Sequence, residues 1–471
     1  MAAILGGGLG GLSTGYYLLK NNIVSNNKLK LFLIEATDSC GGWIKSIRSQ
    51  DYVFEQGPRT IRPKGKFGLN TLNLIQDIGL SEHITPIRPD HPAAKNRMIY
   101  VDKNLHTLPS SLKGVFQKNK PFSKPLIYAI LNDIRNPHVE LQDDSIYNFV
   151  DRRFGREIAD YAISPMICGI CAGDAKEISV KFLMKTLFEW EQEHGGVVKG
   201  MLKTMFKSKN SDNLELSELA RKAQDERWNV YSIKGGLETF PNTLQDYLKD
   251  NDVNFHFNSK VSEIEFVDSS HVQLKNDAGS VITANHIYSS IPAHALANLL
   301  QKQHPSLAEN LQQIPYVTVG IVNLYFKTDN LINPAFGFLV PPIENSPILG
   351  VVFDSCCMPE QRGTVLTVMM GGRWFKDKFG DNVNNEELYN IAVKEIRSIL
   401  SINEEPTASN VNILKNCIPQ YVVGHYDRVF RIRKYIKENN LPISLVGSSY
   451  DGVGINDVVY SAKTQVEEDL H

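Results

Sequence analysis

Gly6, Gly8 and Gly11, in the run Ile4-Leu5-Gly6-Gly7-Gly8-Leu9-Gly10-Gly11-Leu12, have the types and spacing to hold a dinucleotide pyrophosphate. They form G-x-G-x-x-G directly behind a short apolar strand. The first glycine permits the tight turn, the second lets the backbone approach the phosphates, and the third lets the next helix, about Gly10 to Lys20, pack on its strand. The N-terminus of that helix adds unpaired N–H groups and partial positive charge. Glu35 completes the set. It ends the run Lys28 to Glu35, KLKLFLIE, which reads as a second parallel strand buried on both faces. An acid at that tip accepts hydrogen bonds from both ribose hydroxyls and repels a 2′-phosphate, so the spacing predicts FAD or NAD in preference to NADP. Alone, the glycines also fit a tight strand-to-helix turn with no ligand.

Cys168-x-x-Cys171 has the spacing of a redox pair. No second CxxC and no nearby histidine accompany it, so both cysteines are expected to be buried small hydrophobes. Adjacent Cys356 and Cys357 suit neither a simple bridge nor a zinc site, and six cysteines in 471 residues do not make a disulfide framework.

The elements that would position this chemistry follow in order. Past Glu35 comes the doublet Gly41-Gly42, then a strand-like Tyr52-Val53-Phe54 and a proline-bracketed loop, Glu55 to Pro63, carrying Arg59 and Arg62. Leu69 to Ile78 reads as a helix closed by Gly79, and Asn96 to Val101 as a strand with Arg97 at one end. From Lys103 to about Arg221 basic and apolar residues interleave, with helix-like segments such as Lys181 to Trp190 and the same mixture continuing from Lys199 to Lys209. This pattern fits a helical lobe resting on a membrane surface, and equally fits solvated helix faces around an ordinary core.

The nucleotide domain resumes near Val230, where Gly235-Gly236 opens a helix, followed by strands at Asn254 to Phe257 and Lys260 to Val267. Ile282 to Ser290 reads as one strand running into a helix led by Pro292. Strands at Thr318 to Phe326, Phe336 to Leu339, Leu349 to Asp354 and Val365 to Met370 predict a mixed sheet in a separate lobe. Ser444 to Asn456 reads as a strand, a glycine-rich loop and a helix start.

With 471 residues, 42% of them hydrophobic, the chain has room for two or three domains with sizeable cores. Its 50 basic and 52 acidic residues leave a formal charge of −2, which gives no global field for nucleic acid or a strongly acidic substrate. No run of 18 apolar residues predicts a spanning helix. A nucleotide strand starting at residue 2 leaves no room for a cleavable signal or transit peptide, so import would use internal information.

The glycine fingerprint, Glu35, Gly41-Gly42, Lys234-Gly235-Gly236-Leu237, Ile291-Pro292 and the terminal glycine loop together resemble the FAD-dependent amine oxidase superfamily over the whole chain. Within it, Gly41-Gly42-Trp43-Ile44, Gly57-Pro58-Arg59-x-Ile61-Arg62-Pro63, Asn96-Arg97-x-x-Tyr100, Cys171-Ala172-Gly173-Asp174, Val351 to Ser355 and Tyr450-x-Gly452-Val453-x-x-Asn456-Asp457 resemble the oxygen-dependent protoporphyrinogen oxidase family.

That resemblance implies a Rossmann-like α/β FAD-binding domain (1–88, 226–296 and 420–471), a mixed-sheet substrate domain (89–110 and 297–419) and a helical membrane-binding domain (111–225). It implies oxidation of protoporphyrinogen IX to protoporphyrin IX by way of FAD, with oxygen as acceptor. It places the chain as a monotopic protein on the mitochondrial inner membrane, facing the intermembrane space. Ferrochelatase and a second copy of the chain are the further partners it suggests.

For the flavin it names Gly6, Gly7, Gly8, Leu9, Gly10, Gly11, Glu35, Ala36, Trp43, Gly57, Pro58, Arg59, Thr60, Val261, Ser448, Val453, Gly454 and Ile455, with Asn456 as a neighbour. Trp43 as packing and Arg59 as an internal ion pair are the alternatives. For the substrate it assigns Arg97 to a propionate. Leu339, Val352 and Met369 would flank the rings, and the Gly169 backbone would face them. The competing expectations are a coproporphyrinogen oxidase, whose four carboxylates would call for extra basic residues, a flavin oxidase of amines or polyenes, and an escort protein that binds prenylated partners without catalysis.

Overall fold

The computed structural model describes residues 1–25, 30–109, 112–205, 215–329, 331–358 and 360–470. The fully buried apolar run Ala2–Leu5 becomes the central strand of a five-stranded parallel sheet. The order is Ile443–Leu445, His286–Ser289, Ala2–Leu5, Leu31–Ile34, Asn254–His256, with Ala2 opposite both His286 and Leu31. Segments far apart in sequence thus share one sheet, as crossover connections in parallel sheets require. Its first helix, Leu9–Ser25, runs on past the expected end at Lys20. Residues 28 and 29 of the expected second strand lie outside the described residues.

A mixed seven-stranded sheet forms the second layer, in the order Ala408–Pro419, Tyr316–Phe326, Thr364–Gly372, Ile348–Phe353, Gly337–Leu339, Met98–Val101, Asn104–Thr107. One face packs on the helix Asn385–Leu400, burying Val322, Val368 and Met370 against Leu388, Ala392 and Ile396. That helix starts with a capping box from Asn384 and Glu387. The α/β fold class with a separate mixed sheet matches the expectation.

The single strand expected at Ile282 to Ser290 is instead two. Val281–Ala284 belongs to a three-stranded antiparallel sheet with Val261–Asp268 and His271–Asn276, whereas His286–Ser289 enters the parallel sheet. Asn285 makes the switch: its amide donates to the Met1 carbonyl and its side chain bonds the terminal ammonium and the Ser270 carbonyl. The polar side chain satisfies the backbone where the ladder breaks. The helix expected from Lys181 is likewise Lys185–His194, ended by Gly195 at φ +74°.

Between these parts of the sequence lies the helical lobe, with helices Ile127–Arg135, Ile146–Phe154, Ser164–Cys171, Lys185–His194 and Val197–Met205. Residues 206–209 of its expected last segment lie outside the described residues. Its centre is a fully buried ion pair, Arg153 Nε to Asp133 Oδ1 at 2.6 Å. Asp133 also accepts from the Val197 and Val198 amides, so the acid neutralises both an arginine and a helix N-terminus. Cys168 and Cys171 are buried, and burial raises both thiols.

Candidate flavin cradle and the adjoining sheet face

The glycine turn is shaped by its neighbours. Gly6 sits at φ +97°, and a Cβ on Gly11 would collide with the Gly6 carbonyl, so only glycine lets helix and strand approach this closely. At Gly8 a Cβ would meet nothing nearer than Gly42 Cα at 4.0 Å. The backbone there is bare on its open side, and Gly8 pairs with Gly41 in an isolated bridge. A Cβ would fill space that a pyrophosphate can occupy, so the turn fits a dinucleotide.

Leu9 begins the helix. On Gly10 a Cβ would lie 3.2 Å from Gly447 Cα, which brings the C-terminal glycine loop onto the same turn. Glu35 lies at the tip of the second strand, its Oε2 accepting from the Gly7 amide at 2.7 Å and its Oε1 from Thr37. Among the described residues Oε2 accepts from Gly7 alone, and the Thr37 hydroxyl has a second acceptor in the Ser39 carbonyl at 2.9 Å. Both oxygens can therefore take a ribose hydroxyl.

Ala36 follows, exposed. The Asn258 and Ser259 amides bond to the Thr37 and Glu35 carbonyls, setting the Val261 end of its strand beside the acid. At the far end Ser448, Val453 and Gly454 sit in the loop leading to the helix Ile455–Leu470, which Ile455 begins. Asp457 Oδ2 takes the Gly454 amide at 3.1 Å, and Asn456 Nδ2 donates to the Arg62 carbonyl at 2.7 Å.

Residues 55 to 60 join the cradle to the seven-stranded sheet. Trp43 stays 43% exposed, and its backbone carbonyl lies where a Cβ on Gly57 would be. Pro58 and Thr60 flank Arg59, whose guanidinium is in the internal ion pair: Nε lies 3.1 Å from Asp354 Oδ1, and Asp354 is 1% exposed. Burial, outweighing Arg59, lifts the Asp354 carboxyl above its ordinary range. Thr367 donates to its other oxygen and accepts from Asn323. Gln56 Nε2 then donates to Asn323 Oδ1 at 2.8 Å and Gln56 Oε1 accepts from Asn410. Every link in this buried chain is a hydrogen bond or an ion pair, as burial requires.

Glu55, fully buried, accepts from Ser46 and the Leu237 amide, and burial pushes its carboxyl up to about 7. Between its ordinary value of 4.5 and about 7 the folded chain holds a proton that the unfolded chain releases. Stability therefore falls as pH rises through that window, by up to about 1.4 kcal/mol per unit. Glu55→Gln is expected to flatten the slope, measured as urea midpoints at about pH 5 and pH 7. An unchanged slope would assign it to other groups.

Register sets the next surface. Leu339 faces Gly350, Gly350 pairs with Met369, and Val352 with Thr367. Directly opposed residues share a face, so Leu339, Val352 and Met369 lie together, opposite the Asn385–Leu400 helix. Ile321 and Asn323 continue the same face through their pairing with Met369 and Thr367. It is apolar at Leu339 and polar at Thr367 and Asn323, where the Gln56 loop docks.

A Cβ on Gly169 would come within 2.9 Å of Leu339, so that helix covers the apolar end. Arg97 stands just before Met98–Val101, two residues from Ile99, which pairs with Leu339. Burial and the Arg62 guanidinium lower its pKa, and neither arginine has an anionic partner among the described residues. Asp354, Thr367, Asn323 and Gln56 were not expected from sequence reading. An acid inside an apolar strand motif, Val351 to Ser355, was the one signal available.

A parallel sheet ending in a glycine cradle, with an acid at the next strand tip and a covered sheet face alongside, is the arrangement of a dinucleotide-dependent oxidoreductase. The flavin-containing amine oxidoreductase family model matches residues 9–468, and the chain belongs to that family. Within it, the chain is 37% identical to protoporphyrinogen oxidase of Bos taurus over 467 residues, covering 98% of this chain and 96% of the relative. It is 25% identical to coproporphyrinogen III oxidase of Bacillus subtilis (strain 168), covering 99% and 97%. A crystal structure of a protein from Exiguobacterium sp. 255-15 superimposes with a TM-score of 0.79 at 23% identity, covering 99% of this chain and 98% of that one.

Proposed function

We propose that the chain oxidises protoporphyrinogen IX to protoporphyrin IX in porphyrin and heme biosynthesis, with FAD as cofactor, oxygen as acceptor and hydrogen peroxide as by-product. The observation that carries this is the sheet face: an apolar wall with Arg97, which has no anionic partner among the described residues, at one end and the Glu55 to Thr60 loop anchored at the other. The flavin, when bound, takes electrons from a saturated meso carbon and passes them to oxygen. The chain's own part is to bind, orient and exclude water. Arg97 pairs with a propionate while Leu339, Val352 and Met369 hold the rings, and the helix carrying Gly169, which packs closely on Leu339, shields that end from water.

Anaerobic mixing of the purified protein with protoporphyrinogen IX should bleach the flavin absorbance, and air should then bring porphyrin fluorescence and peroxide. Coproporphyrinogen run alongside tests the alternative substrate, since it carries more carboxylates than Arg97 and Arg62 can pair. No reaction with either would sink the reading. Arg97→Ala is expected to raise KM about tenfold to a hundredfold, with kcat within a few-fold and flavin content unchanged. An unchanged KM removes the propionate role.

No helix among the described residues is long and apolar enough to cross a membrane. The helical lobe exposes Phe116, Tyr128, Ile134, Met201, Leu202 and Met205, with Lys203 alongside, which supports docking on one leaflet. On this reading the surface is that of the mitochondrial inner membrane, and a second copy of the chain and ferrochelatase are its protein partners. Met201→Asp combined with Leu202→Asp should reduce cosedimentation with anionic liposomes several-fold and leave activity in detergent intact. Undiminished binding would place the contact elsewhere.

A further inference from the structure

We propose that Tyr421 is a positioning residue for the flavin: its hydroxyl closes the loop from Gly447 to Gly454, and its backbone ties that loop to the helical lobe. The proposal rests on the flavin reading of that loop. Tyr421 is buried, so its hydroxyl must find partners, and both lie in the loop. The hydroxyl donates to the Ser448 carbonyl at 2.7 Å and accepts from the Gly452 amide at 2.7 Å. Its donor and an acceptor site are thereby both used, across the two sides of the loop.

The ring stacks on His425 with centroids 3.8 Å apart and planes at 13°. His425 Nε2 lies 3.4 Å from the Tyr450 carbonyl, in the middle of the same loop. Burial lowers the imidazole to about 4 and keeps it neutral, so Nε2 carries the proton that faces the carbonyl. Residues 448, 450 and 452 are thus each held by this aromatic pair. A phenylalanine would fill the space equally well, so what the hydroxyl adds is the loop's conformation.

The other side of Tyr421 is fastened to the helical lobe. The Ser179 amide donates to the Tyr421 carbonyl at 2.8 Å and the Val423 amide to Glu177 at 3.0 Å, around an Ile178–Val422 bridge. Asp143 then accepts from the Gly424 amide and the Ser179 hydroxyl. A continuous run of hydrogen bonds therefore leads from the lobe to the loop beside Gly10.

Tyr421→Phe keeps the stack and removes only the hydroxyl. The apoprotein's dissociation constant for FAD, from flavin fluorescence, is expected to rise about tenfold or more. The visible circular dichroism of the bound flavin should change with it. Asp143→Asn, in the helical lobe, should change the same two signals in the same direction by a smaller factor, and it decides the matter if Tyr421→Phe does not fold. Lower melting temperatures with wild-type FAD affinity and dichroism in both variants would make the residues merely structural and overturn the proposal. Failure of the wild-type apoprotein to take up FAD would overturn the flavin reading itself, which is a separate result.

Discussion

A Gly8→Val variant is expected to fold and yet purify colourless, its FAD dissociation constant raised about a hundredfold or more, whereas Gly11→Ala should fail as a protein first. The two glycines lie in one motif but face different surroundings. At Gly8 the nearest atom to an added Cβ is 4.0 Å away, so a side chain costs the apoprotein little and occupies only the cradle. At Gly11 the same atom would overlap the Gly6 carbonyl and lie 2.8 Å from Ser290 Oγ and 3.1 Å from Ile4 Cγ2. The helix would have to leave its strand. Overpacking of that kind costs about 1–3 kcal/mol or more, and here it also pulls apart the turn proposed to hold the phosphates. Far-ultraviolet circular dichroism and a urea midpoint, set beside flavin content, separate the two outcomes. A Gly8→Val protein with full FAD, or a Gly11→Ala protein as stable as wild type, would contradict this account of the cradle.

The second large effect is expected at Asp354→Ala, which should destabilise the fold by about 3–5 kcal/mol because it leaves the Arg59 guanidinium buried without its anion. Thr367 loses its acceptor at the same time. The intact pair need not add much net stability, since burial already holds the Asp354 carboxyl above its ordinary range. Its work is to fix the Glu55 to Thr60 loop on the sheet face. Arg59→Met with Asp354→Leu, which removes both charges, should therefore recover most of the stability lost in the single variant and still bind FAD less tightly. Urea unfolding of the single and double variants is the measurement. A single variant within about 1 kcal/mol of wild type would show that water reaches Arg59 and that the pair is not buried in solution.

Much of the nucleotide half was legible because its signals are local. The turn at Gly6 to Gly11, the acid at Glu35, the strand starting at Ala2 and the glycine-led entry to the last helix each depend on a few neighbouring residues. The long strands of the second sheet were legible too, through apolar runs such as Tyr316–Phe326. Ile282 to Ser290 misled because one residue, Asn285, is all that separates its two strands. Only the partners on either side, Val272 for Ala284 and Ala2 for His286, reveal that it changes sheets.

Placement of the site residues was of the second kind. Arg59 and Asp354 are close in space and distant along the chain, and no spacing rule links an arginine in a proline-bracketed loop to an acid behind a strand. The same holds for Gly169 against Leu339 and for Tyr421 against Ser448 and Gly452. The sequence by itself determined the cofactor class and the elements that carry it, since turn geometry and strand periodicity are written in adjacent residues. Tertiary structure alone decided which sheet face the Glu55 to Thr60 loop docks on, which charges pair and which loop Tyr421 closes. Those outcomes depend on register and on burial, which lend weight to contacts between residues that the chain order leaves unrelated.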